Sequence, residues 1–215
     1  MKDIILLGSG GFAREVVWLL EENNKVKPEW NILGYLSEEP VGKEVGSYPV
    51  IGKDAWLLNR GRETYAVCCV GDGSQRKRIV EQFKGNSNVI FPNIISRDVV
   101  IADSVKLGVG NIIAKSSILT VDIKLGNFNI INLDSTIGHD CQIRNFVTIN
   151  PGAHISGNVT LCDGVTIGTG ATCIQGITVN ENTTVGAGAA VIRDLEPNVV
   201  AVGIPAKALK GKNNE

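Results

Sequence analysis

The 215-residue chain carries 21 basic and 22 acidic residues, a net charge of −1 that argues against both a nucleic-acid footprint and a polybasic membrane anchor. Its five cysteines (Cys68, Cys69, Cys141, Cys162 and Cys173) are odd in number and show no CxxC spacing, so they read as buried free thiols in a reducing compartment, not as a disulfide framework or a zinc ribbon. The opening MKDIILLGSGG has too short an apolar run for a membrane span and no signal-type cleavage site follows it, so a soluble, cytoplasmic protein is expected.

In chain order, residues 1–90 read as an α/β domain. Ile4 to Leu7 is an apolar run suited to a buried strand, and Gly8-Ser9-Gly10-Gly11 follows it. Phe12 to Glu22 has helical spacing, with Val16, Val17, Leu19 and Leu20 apolar among charges. Ile32 to Leu36 and Tyr65 to Val70 are further strand candidates. Gly71-Asp72-Gly73-Ser74 ends the latter, and a helix over about Gln75 to Phe83 comes next. Strand, glycine turn, helix, strand is the order of a small parallel Rossmann-like sheet. Gly8-x-Gly10-x-x-Ala13 formally fits a dinucleotide fingerprint. The second strand, however, runs into Tyr35-Leu36-Ser37-Glu38 without the clear terminal acid such a site uses. The glycine turn stays open to two readings, an ordinary turn and a nucleotide-binding one.

Residues 91–215 form a repetitive second domain. From Val99 the sequence divides into sixteen consecutive hexads, VVIADS to AAVIRD, without a break. The third position is Ile, Leu or Val in every hexad except ATCIQG, where it is Cys173. A six-residue period fits neither an α-helix, with its period of about 3.6, nor the strict alternation of a long strand. It suits a short strand followed by a tight turn. Three such units make a triangular coil of 18 residues. Third-position side chains then point inward and stack between coils about 4.8 Å apart. Each coil of such a solenoid buries its core against its neighbours and the ends need caps; residues 196–215 are expected to supply one.

These hexads, with the N-terminal IILLGSGGFAREV, the central IGHDCQI, the stretch INPGAHISGNV and the terminal VVAVGIPAK, resemble the hexapeptide-repeat acyltransferases. The resemblance is strongest to the sugar O- and N-acyltransferases of the sialic acid O-acetyltransferase and bacillosamine-pathway type. It implies a left-handed parallel β-helix after the α/β domain, acetyl transfer from acetyl-CoA, and a homotrimer with the donor in the cleft between adjacent prisms. It makes His139 of the GHD motif the general base, a role suited to imidazole with its ordinary pKa of about 6.5. Asp140, where many relatives carry Glu, takes the place of the carboxylate that orients it. Gly157, one coil beyond His139, stands where a backbone N–H meets the thioester carbonyl. Thr169 and Ala187, one coil apart, match CoA contacts along another edge. Ile204, Pro205 and Lys207 match contacts near the adenine end. Thr148 replaces a donor-contacting histidine of several relatives. In the first domain the family binds its nucleotide-sugar acceptor, which points to Gly8, Ser9, Gly10 and Gly11, to Ser37 and Glu38, and to Gly71, Asp72 and Arg76. His154 lies outside the matched motif and reads as non-catalytic.

The implied reaction is N-acetylation of a nucleotide-linked amino sugar for surface glycan assembly, with O-acetylation of sialic acid or another sugar as a close second. A γ-class carbonic anhydrase shares the prism but needs three zinc-binding histidines, and the chain has two, so no metal site is expected. A non-catalytic sugar-nucleotide scaffold would keep both domains but has no use for GHD. An NAD-dependent oxidoreductase rests on the glycine turn alone.

Overall fold

The apolar runs of the first part fold as strands around a central one, Lys2–Leu7, with the glycine turns between strands and helices. The computed structural model describes residues 1–209, so residues 210–215 of the expected terminal cap lie outside the described chain. The elements are β1 (Lys2–Leu7), α1 (Gly11–Val26), β2 (Trp30–Leu36), β3 (Glu44–Val45), β4 (Tyr48–Gly52), α2 (Asp54–Leu58), β5 (Thr64–Cys68), α3 (Gly73–Glu81) and β6 (Val89–Ile90). They form one sheet in the order β3-β4-β2-β1-β5-β6, parallel except for the β3–β4 hairpin. Strand β1 is buried on both faces, as a continuous apolar run requires. Ile4 and Leu6 join the core under α1, whereas Ile5 and Leu7 join the core under α2 and α3. The hairpin, α2 and β6 are absent from the sequence reading, because elements this short carry no usable periodicity.

The hexads fold as a left-handed parallel β-helix with three sheet faces. The eight-stranded face starts at Ile94–Ile95, the six-stranded face at Val100–Ile101 and the five-stranded face at Lys106–Leu107. Rungs pair in parallel one coil apart, as in Ile112↔Ile130, Ile118↔Thr136 and Lys124↔Gln142. Second- and third-position residues form the strands, and the third-position aliphatics fill the prism, Cys173 among them.

Every sixth residue from Gly110 to Gly188 adopts a left-handed backbone conformation, which turns the chain at each corner. Gly, Asn and Asp tolerate that conformation, which explains their recurrence at the sixth position. First-position side chains are mostly small or aliphatic and buried, and several are polar. Ser117, Ser135 and Cys141 each donate to a carbonyl 15 residues ahead, satisfying the buried turn.

The repeat begins one hexad before Val99: Asn93–Asp98 supplies the first rung, with Ile95 in the third position. At the other end Thr184↔Val200 closes a shortened coil, and Lys207–Ala208 folds back antiparallel on Val200–Val202. Leu195 bridges to Val179, ending the five-stranded face.

The α/β domain sits on the eight-stranded face. Ile94, Ile112 and Ile130 point outward there and join the α1 core. At the corner between the five- and eight-stranded faces, Phe83, Phe91, Phe128 and Phe146 form an aromatic chain, edge-to-face and then stacked. Phe128 and Phe146 hold left-handed φ values of 55° and 59°, costly for bulky residues; their stacking, with ring centroids 5.4 Å apart, offsets part of that cost.

Candidate active site

His139 follows the rung Thr136–Ile137 of the six-stranded face and precedes Gln142–Ile143 of the five-stranded face. The fifth hexad position lies on the corner rim, so the imidazole projects outward with 51% of its side chain exposed. Asp140 is the left-handed corner residue, with φ 60°. Its Oδ2 also lies 2.8 Å from His139 Nδ1. Turn residue and orienting carboxylate are therefore one residue, because the corner folds the side chain back on the preceding ring. An ionised carboxylate accepts from Nδ1–H, which leaves Nε2 as the basic nitrogen, on the ring edge that lies against Gly157.

The next coil supplies a glycine slot. A Cβ at Gly157 would be driven into the His139 ring, and one at Gly138 would stand 2.7 Å from the Gly157 nitrogen. Only glycine at these positions lets the ring lie where it does. The N–H groups of Ser156 and Asn158 bond to Cys173 and His139 carbonyls, whereas that of Gly157 has no acceptor among the described residues. A base and a free backbone donor thus stand side by side, the pairing that acyl transfer to an amine or hydroxyl requires.

Thr169 and Ala187 are exposed on a different corner, between the eight- and six-stranded faces, linked by the Gly188 N–H to Thr169 carbonyl bond of 2.8 Å. Ile204 and Pro205, in the turn before the last strand, and Lys207, its first residue, are also exposed and follow on from that corner in sequence. The residues expected to contact the donor are therefore split between two corners of one prism.

Two expected ligand contacts are corrected by the geometry. Arg76 is 1% exposed and cannot line an acceptor crevice. Its guanidinium donates to the carbonyls of Val70, Gly71, Phe128, Phe146 and Val147 and to Thr148 Oγ1. It is a strut between α3 and the β-helix. Burial lowers its pKa to about 10, so it remains a cation at neutral pH. Thr148 is likewise buried at this seam and donates to the Gly71 carbonyl at 2.7 Å. Its hydroxyl is committed there, which takes it away from the donor. The Gly71 carbonyl belongs to the same knot. This seam was not legible in the sequence, since neither Arg76 nor Thr148 falls in a pattern that signals contact between distant segments.

The remaining acceptor-side residues surround the carboxyl ends of β1, β2 and β5. Gly8, at φ 99°, donates to the Leu36 carbonyl and turns the chain toward α1. Ser9 follows, Gly10 is the N-cap of α1 without a side-chain cap, and Gly11 opens the helix. Space beyond Gly10 is open, since an added Cβ would meet nothing within 4 Å. An uncapped helix start in an open crevice suits an anionic group. Ser37 Oγ accepts from the Glu39 N–H, and Glu38 pairs with Lys53. Asp72 Oδ1 caps α3, accepting from Ser74 Oγ and the Gln75 N–H; the Ser74 bond leads in holding its carboxyl below the usual range.

Other titratable groups near the site are bystanders to the chemistry. Cys141 is fully buried, and burial pushes its thiol up, so it offers no thiolate beside His139. Cys68 and Cys173 are pushed up to about 12 by burial. His154 is exposed on the six-stranded face, its Nδ1 2.9 Å from Thr136 Oγ1. Among the described residues no His, Cys, Asp and Glu group could hold a metal ion. No helix among them is long and apolar enough to cross a membrane. A recess of about 420 Å³ opens beside Asp140, lined also by Asp122, Lys124, Gln142 and Asn158. The sequence reading missed this recess, although the hexad register sets positions 122, 140 and 158 one coil apart.

The family of the PglD N-terminal domain matches residues 3–83, and the bacterial transferase hexapeptide (six repeats) matches residues 140–175. No curated protein sequence matches the chain. Among solved structures, the acetyltransferase domain of PglB from Neisseria gonorrhoeae FA1090, in complex with acetyl coenzyme A, is 30% identical with a TM-score of 0.88, covering 97% of this chain and 99% of that one. PerB from Caulobacter crescentus, in complex with CoA and GDP-perosamine, is 27% identical with a TM-score of 0.89 and 98% coverage of both chains. WeeI from Acinetobacter baumannii AYE is 27% identical with a TM-score of 0.87, covering 97% of this chain and all (100%) of that one. The chain therefore belongs to the hexapeptide-repeat sugar acyltransferases that carry a PglD-type N-terminal domain.

Proposed function

We propose that the protein is an acetyl-CoA-dependent N-acetyltransferase acting on a nucleotide-linked amino sugar of the 4-amino-4,6-dideoxy type, serving surface glycan assembly. The observation that carries this reading is the His139–Asp140 pair at 2.8 Å with the Gly157 N–H, which has no acceptor among the described residues, beside the ring. The amine nitrogen of the acceptor attacks the thioester carbonyl carbon while His139 Nε2 takes its proton. The Gly157 N–H faces the oxyanion that forms. The C–S bond then breaks, the thiolate takes the proton from the imidazolium, and CoA leaves as the thiol. Nitrogen is favoured over oxygen as the acceptor because PerB was solved with an amino-sugar nucleotide, GDP-perosamine.

The active unit in this proposal is a homotrimer. The α/β domain covers the eight-stranded face, and His139 lies at the corner opposite that face. The acceptor crevice and His139 thus stand at different corners of the prism. The six-stranded face carries exposed Val100, Ile118, Ile174 and Ile192 along or beside its rungs. Turned toward a threefold axis, this face buries that apolar surface. Each His139 corner then meets a neighbour's Thr169–Ala187 corner, which reunites the two halves of the donor site. Outside that contact, the five-stranded face of one prism and the α/β domain of the next become opposite walls of one cleft. Five unpaired thiols agree with a cytoplasmic setting.

The test is a CoA-thiol release assay with UDP-, GDP- and dTDP-linked 4-amino sugars beside free sialic acids, with product masses measured. Acetylated nucleotide amino sugar supports the proposal. Transfer to free sialic acids alone would replace it by O-acetylation, and no thiol release with any acceptor would refute it.

A further inference from the structure

The five-stranded face carries a row of basic side chains next to the His139 corner. Lys106 and Lys124 are paired outward rungs, and Arg144 lies just past the next rung, which begins at Gln142. All three are exposed, and none has an ion-pair partner among the described residues. The parallel rungs of the other two faces carry no lysine or arginine. The three cations line a groove of about 350 Å³. Lys124 and Gln142 also line the recess beside Asp140, so groove and recess are continuous. Moving away from His139, the surface passes from carboxylates and amides to unpaired cations.

We propose that Lys124, assisted by Lys106 and Arg144, clamps the diphosphate of the acceptor presented by a neighbouring copy's α/β domain. The inference rests on the nucleotide-sugar reading above and deepens it. An amino-sugar nucleotide has the same order of chemistry as the surface: an amine for the base, sugar hydroxyls for the amides and carboxylates, then two phosphates for the cations. The base and its cations belong to one chain, the glycine turn to the next, so the acceptor is gripped from both walls of the cleft. The clamp distinguishes nucleotide-linked acceptors from free amino sugars, which lack the diphosphate. Lys124 is a positioning residue and takes no part in proton transfer.

The experiment compares wild type, Lys124→Gln and the double variant Lys106→Gln/Lys124→Gln, using a nucleotide-linked 4-amino sugar and the same sugar without its nucleotide diphosphate. Removing one charge-assisted phosphate contact should raise the nucleotide-sugar KM about ten-fold, and the double variant should raise it further. The KM for acetyl-CoA and the kcat should stay within about two-fold of wild type, as should the KM for the free sugar. The wild-type advantage should shrink as salt rises. Lys25→Gln, on the outer face of α1, controls for a general loss of charge. Unchanged nucleotide-sugar KM in the double variant, in a protein of normal size and melting behaviour, overturns the clamp alone. Equal wild-type efficiency with and without the diphosphate overturns the acceptor reading, and the clamp with it.

Discussion

Replacing Arg76 by Leu tests whether the seam is a polar knot or a generic packing surface. The guanidinium satisfies six acceptors. Three of them, the carbonyls of Val70, Phe128 and Phe146, have no other backbone or side-chain donor among the described residues. Each buried acceptor left without a partner costs about 1–3 kcal/mol, and water reaching the Val70 rim lowers the sum, so the expected loss is roughly 3–5 kcal/mol. That is a large share of the 5–15 kcal/mol that holds an ordinary domain folded. All three tryptophans, Trp18, Trp30 and Trp56, lie in the α/β domain, so their fluorescence in urea follows that domain while far-UV dichroism follows the β-helix as well. In Arg76→Leu the fluorescence transition should move to lower urea and separate from the dichroism transition. Arg76→Lys should recover only part of the loss, because an ammonium cannot reproduce the planar fork. A single transition within about 1 kcal/mol of wild type would refute the strut.

Gly157→Ala should fold normally but lose activity, because its methyl group would displace the His139 ring; an unchanged kcat/KM would remove the slot argument. Asp72→Ala should cost about 1 kcal/mol through loss of the α3 cap, read by urea denaturation. Because the carboxyl of Asp72 is held below its ordinary range, the cap's contribution is present above an ordinary carboxyl pKa of about 3.9 and is lost as pH falls through the lower folded value. A stability loss in Asp72→Ala that persists undiminished well below that range would contradict this assignment. Brief alkylation of the native protein should label Cys162, which is partly exposed, and spare Cys141, with transferase activity retained; inactivation tracking Cys141 modification would point to a covalent relay.

The β-helix was legible because its signal is redundant. Third-position aliphatics recur in fifteen of sixteen hexads, and the corner residues follow the same register. The first hexad, Asn93–Asp98, escaped only because the register was started at Val99. The pair proposed as catalytic was legible through GHD, and the structure adds how Asp140 reaches the ring: the left-handed corner brings a short carboxylate onto Nδ1. The seam was illegible for a physical reason. Arg76 and Thr148 are 72 residues apart, and one arginine among the basic residues Arg76, Lys77 and Arg78 of a polar helix carries no local sign that it will be buried against carbonyls. The cationic row was hidden in another way. Lys106 and Lys124 occupy ordinary outward positions, and their meaning depends on which face adjoins the His139 corner.

The most direct test of the account replaces His139 by Asn and follows thiol release from acetyl-CoA with a nucleotide-linked 4-amino sugar that wild type acetylates. If Nε2 is the base, kcat should fall by about 10²–10⁴-fold while acetyl-CoA binding, oligomer size and melting temperature hold. Full transfer activity in that variant would contradict the assignment of His139 as the base.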